Sequence, residues 1–135
     1  MMSNYLNKNA FQDSHQDHVI RHMVPLLLAS STTDEVKTGL LKTFLDLHEA
    51  RVISTPPLLS TIFLEAMSDC FVTDTETCKA SVRLLLALVN DVSTNPSVMS
   101  KVKRVVGFNL GVVSNSSDDE IYRTVASLKR ILYGK

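Results

Sequence analysis

Residues 114–123, SNSSDDEIYR, pass from small polar side chains to three consecutive acids and then into the apolar run TVASLKRIL. Short oxygen-bearing side chains ahead of such a run cap the free N–H groups of a helix, and carboxylates in the first turn are favoured by its dipole. The same phrase stands earlier as SSTTDEV at 30–36 and VTDTETC at 72–78. Its glutamates, Glu35, Glu76 and Glu120, lie 41 and 44 residues apart. That spacing falls within the roughly 40–47-residue period of stacked helical repeats.

Working outward, the apolar residues keep helical rather than alternating spacing. In VKTGLLKTFLDL, residues Val36, Leu40, Leu41, Phe44, Leu45 and Leu47 recur on one face. No Asn-Gly or Asp-Gly hairpin turn separates strand-like runs, so the chain reads as all-α. A first helix is expected after Asp13 or Ser14, carrying Val19 to Leu28 and kinked at Pro25. A second is expected from Asp34 to Glu49. A third should be capped by Ser54 or Thr55, with Pro56 and Pro57 in its first turn, and run to Phe71. Thr73 or Asp74 should cap the next, and Asn95 with Pro96 should open a helix weakened at Gly107 and Gly111. The last should end near Tyr133, with Gly134 as its stop.

Matching the second and third caps pairs Asp74 with Asp118, Lys79 with Arg123, Leu84 with Leu128 and Leu88 with Leu132. The phrase LLALVNDVSTNPSV resembles the end of the third helix of an armadillo repeat, where an asparagine precedes a small-residue turn and an Asn-Pro. The resemblance spans about residues 20–133. It implies a right-handed stack of about three armadillo- or HEAT-like units, with an irregular helical bundle as the alternative. It also places Asn90 where the family's groove asparagine contacts the backbone of an extended peptide. The first and third units carry no asparagine at the matching position.

With 135 residues, 44% of them hydrophobic and only 4 glycines and 4 prolines, the chain can bury a core without disulfides or metal. The reading is a polar, flexible segment at 1–18 followed by one helical domain at 19–135. Cys70 and Cys78 form neither a CxxC pair nor a disulfide framework, which points to the cytoplasm or nucleus. No leader-like or membrane-spanning run is visible in the sequence. Net charge is zero but unevenly placed: residues 1–100 hold 7 basic and 11 acidic residues, and residues 101–135 hold 7 and 3.

Few groups suggest chemistry. His15, His18 and His22 share one helical face, but with no ligand from a second element they read as solvated or capping rather than metal-binding. Cys78 sits in a helix first turn beside Lys79, which would favour its thiolate, yet a buried, inert thiol is the preferred reading. There is no GxSxG elbow and no glycine-rich phosphate loop. No enzyme activity and no cofactor are expected.

The remaining signal is a surface. Lys79, Arg83, Leu86 and Asn90 form one stripe, and Arg123, Ser127 and Arg130 continue it on the last helix. In a stack these helices line one face, which could hold a protein or extended peptide. The expectation is a scaffold or adaptor, self-associating or packed against neighbouring repeats of a larger chain. A nucleic-acid module using Lys101, Lys103, Arg104, Lys129 and Arg130 is the alternative.

Overall fold

The computed structural model describes residues 22–27, 29 and 31–134, and all regular structure among them is helical. Residues 22–27 are helical. Then follow α1 (Asp34–Glu49), a 3₁₀ turn (Pro56–Leu59), α2 (Thr61–Phe71), α3 (Thr75–Val92), α4 (Pro96–Val113) and α5 (Asp119–Tyr133). The segment 1–18, the start of the first expected helix, and His15 and His18 lie outside the described residues.

Each repeated phrase opens a helix by the same local bond. The side chains of Thr33, Asp74 and Asp118 accept from the backbone N–H of Val36, Thr77 and Ile121, three residues on. Asn95 does the same for Val98, with Pro96 at the first helical position. α5 ends on Gly134, whose φ of 71° is the left-handed conformation that costs a glycine nothing.

The Pro-Pro segment departs from expectation. Pro56 and Pro57 belong to a separate 3₁₀ turn, and Ser60, not Ser54 or Thr55, caps α2 by accepting from the N–H of Phe63. Thr55 stands ahead of the 3₁₀ turn rather than of α2: its carbonyl accepts from the N–H of Leu58, and its hydroxyl donates to Asp91, 36 residues away. Thr73 likewise leaves the α3 cap to Asp74 and donates to the carbonyl of Cys70.

The helices alternate between two layers. α1 packs on α3 and α3 on α5, so the three helices opened by the repeated phrase lie in series. α2 packs on α4 beneath them, and the layers meet where α2 touches α3 and α4 touches α5. The core between them includes Leu41, Phe44, Phe63, Leu64, Met67, Phe71, Leu84, Leu85 and Leu88, each 2% exposed or less. Phe44 and Phe63 meet edge to face at 4.9 Å.

Polar side chains fix the register between helices. Ser81, fully buried, donates to the carbonyl of Met67 at 2.7 Å, tying α3 to α2. Thr77 meets the hydroxyl of Thr38 at 2.8 Å and the carbonyl of Asp34 at 3.2 Å, tying α3 to α1. Asn109 donates to the carbonyl and hydroxyl of Ser68, both at 3.0 Å, tying α4 to α2.

α4 runs unbroken through Gly107 and Gly111, so the expected weakening produces no break. A methyl group at Gly39 or Gly111 would meet nothing within 4 Å. Gly39→Ala and Gly111→Ala are therefore each expected to stabilise the fold by up to about 1 kcal/mol, read as a raised midpoint in thermal melts.

Candidate interaction surface

The sequence stripe is brought together in part, and three of its four cations, Lys79, Arg83 and Arg123, are already engaged. The Lys79 ammonium lies 3.3 Å from Glu76 and 3.4 Å from Asp118. Arg83 pairs with Glu120. Two acids of the opening phrase thus clamp the start of α5 to the flank of α3. Asp118 does this while capping its own helix at 3.1 Å, and the N–H of Ile121, then Lys79, hold its carboxyl below the usual range. Lys79 is in turn held above the usual lysine range, first by its bond to Glu76.

Arg123 pairs at 3.1 Å with Asp119 on its own helix, and both are largely exposed. Leu86 is half-buried against the core, and Ser127 is half-buried. Asn90 and Arg130 are exposed. The stripe is a mixed edge on which Arg130 is a cation with no carboxylate partner among the described residues.

A second surface appears only in the fold. Gly107, Leu110 and Gly111 of α4 and Lys129 and Tyr133 of α5 line an open groove of about 410 Å³. Leu110 is its buried floor, and Tyr133 stands 47% exposed. Lys103 lies over the Tyr133 ring at 5.5 Å, within cation–π range. Arg104 precedes Gly107 and Gly111 by three and seven residues, which places it on the same stripe of α4.

Part of the charge imbalance read from sequence falls here, with Lys129 and Lys103, while Lys101 and Arg104 border a neighbouring cleft on α4. The three acids of residues 101–135 are committed to Lys79, Arg83 and Arg123. Among the described residues, no carboxylate pairs with Lys101, Lys103, Arg104, Lys129 or Arg130. Phe108, 82% exposed, faces another neighbourhood, beside Glu65 and Asp69 of α2.

A third cluster joins three distant positions. His48 Nε2 lies 2.8 Å from the Thr55 hydroxyl and 2.9 Å from Asp91 Oδ2, and Thr55 donates to that same oxygen at 2.6 Å. They line a cleft of about 460 Å³ with Arg51, which has a left-handed φ of 61°. The types suggest a nucleophile, base and carboxylate, but the connections differ. A relay uses both imidazole nitrogens, one toward the hydroxyl and one toward the acid. Here Nε2 faces both partners, Nδ1 is buried without one, and the threonine proton is held by the carboxylate. The arrangement is a clasp joining the end of α1, the 3₁₀ turn and the end of α3. Its residues are 7 and 36 positions apart, and no spacing in the sequence announces it.

Both thiols are buried and free. Burial pushes Cys78 up to about 11, reinforced by Asp118 and Asp74, and outweighs the helix start that would lower it. Burial likewise pushes Cys70 up to about 11, against Lys37. At pH 8 roughly a thousandth of each would be thiolate. The native chain is expected to show almost no reaction with a disulfide reagent at that pH, and two thiols after denaturation. A fast-reacting thiol in the folded state would contradict this.

Among the described residues no helix is long and apolar enough to cross a membrane, and no three His, Cys, Asp or Glu side chains gather as a metal site. His22 is exposed. The sequence matches no protein-family model, no curated protein and no solved structure.

Proposed function

We propose that this chain is a non-catalytic protein-binding module, a scaffold or adaptor built as an armadillo- or HEAT-like stack of about three helical units. One observation carries the reading: α1, α3 and α5, each opened by the same acid-rich cap, pack in series, with α2 and α4 in a second layer. Stacks of this kind hold extended surfaces open for partners, since each unit contacts only its neighbours. The free, buried thiols suit a reducing compartment, cytoplasm or nucleus.

The exposed edge of α3 and α5, with Asn90 and Arg130, is the lateral surface offered to a partner protein or peptide. The test is an affinity purification with the chain as bait, beside an Arg83→Glu plus Asn90→Ala variant. Recovery of one partner by the native chain and its loss from the folded variant supports the reading. A native chain that stays monomeric and retains no protein overturns it. So does retention of RNA or DNA that falls steeply with salt and on charge reversal at Lys101, Lys103, Arg104, Lys129 and Arg130, which would replace it with the nucleic-acid reading.

A further inference from the structure

We infer that the groove between α4 and α5 docks an acidic amphipathic helix of a partner protein. The inference rests on the protein-binding reading above and adds a second surface, with the chemistry of what it takes.

Three features of the groove converge on that occupant. Its floor is mostly carbon: Leu110, the backbone at Gly111, and the Tyr133 ring, whose hydroxyl lies over Gly107, 3.4 Å from where a methyl group there would sit. Above Gly111 there is open space, so a helix could approach the α4 backbone closely, as it does wherever small residues face a partner. Its rim is cationic, with Lys129 in the lining and Lys103 over Tyr133, and Arg104 follows on the glycine stripe, where it borders the next cleft along α4. None of these cations has a carboxylate partner among the described residues, because the nearby acids are turned toward α3 or spent within α5. An apolar floor with an unneutralised basic rim is complementary to a helix with leucine-like residues on one face and carboxylates flanking them.

The same features weigh against other occupants. A second copy docking through this face would set the same cations against each other, a like-charge contact that costs affinity. A nucleic-acid strand would leave the apolar floor largely unused, since among the described residues Tyr133 is the one aromatic ring lining the groove.

The test uses the whole chain labelled with nitrogen-15, and a capped synthetic peptide of three Leu-Glu-Ala-Leu-Glu-Ala-Glu heptads. Controls are a peptide of the same composition shuffled to remove the apolar stripe, and one with every glutamate replaced by lysine. The expected result is saturable amide shifts at Gly107, Leu110, Gly111, Lys129 and Tyr133 with the acidic amphipathic peptide alone. Gly111→Leu, which fills the open space, should weaken binding about tenfold or more, as should Arg104→Glu with Lys129→Glu. Gly39→Ala, an equivalent helix change far from the groove, should leave it within about twofold. Amide spectra of the variants establish that they are folded.

No saturable shifts at these residues overturns the inference. Equal binding of the shuffled peptide does so too, by reducing the site to charge alone, as does self-association or oligonucleotide binding that maps to the same amides and displaces the peptide. Failure here leaves the lateral surface to be judged by the bait experiment, whose variant residues lie outside this groove.

Discussion

Phe63→Ala is expected to lower stability by about 3–5 kcal/mol, seen as a large fall in the urea midpoint with an unchanged slope. Phe63 is 1% exposed on α2 and its ring meets that of Phe44 on α1 at 4.9 Å. Truncation removes the transfer energy of the ring, the edge-to-face contact and the packing of the cavity left behind. The surrounding residues sit on α-helices held in register by the Ser81, Thr77 and Asn109 bonds, which limits how far the site can collapse. For a chain whose total stability should lie near 5–15 kcal/mol, the variant would be marginal or unfolded at 37 °C. Phe108→Ala is the control: at 82% exposure the same chemical change should cost no more than about 0.5 kcal/mol. Equal losses at the two positions would refute the assignment of core and surface.

Asp91→Ala should cost about 1–3 kcal/mol, because it removes the carboxylate that accepts from the buried Thr55 hydroxyl and from His48 Nε2, leaving those two only each other. The effect should depend on pH in a definite sense. The Thr55 hydroxyl, followed by His48, holds the Asp91 carboxyl below its usual value of 3.8. A carboxyl depressed on folding contributes stability that is fully present above its unfolded pKa and is lost as pH falls through the folded one. The gap between native chain and variant should therefore be largest above about pH 4 and shrink below it. Asp91 is half exposed, so solvent screens the ionic part and the hydroxyl bond carries most of the effect. A gap that stays constant from pH 7 to pH 2 would show that the carboxylate's charge contributes nothing to the clasp.

The helix pattern was legible because its signals are local. Thr33, Asp74, Asn95 and Asp118 cap by a bond that spans three residues, and Gly134 stops α5 by a conformation only its own backbone decides. Local choice failed where a distant group competed. Thr55 can cap a helix as well as Ser60 can, but its hydroxyl turns to Asp91 and the chain makes a 3₁₀ turn at Pro56–Leu59 before α2 begins. Gly107 and Gly111 disfavour a helix by propensity, and packing of Val102, Val106 and Leu110 in the core holds α4 unbroken through them. The candidate surface was only half legible. Lys79 and Arg83 share a helical face by spacing, but nothing in their neighbours states that Asp118 and Glu120 come to meet them.

By itself the sequence determined an all-helical chain with its principal caps, its apolar faces and a phrase repeated three times, since each rests on bonds or periodicities within a few residues. Only the tertiary structure decided which charges are spent and which are left over. Ion pairs such as Lys79 with Asp118, and the clasp of His48, Thr55 and Asp91, join groups whose separation is set by how helices pack. The α4–α5 groove is likewise a property of two surfaces meeting, and its unpaired cations are those that packing brought near no acid among the described residues.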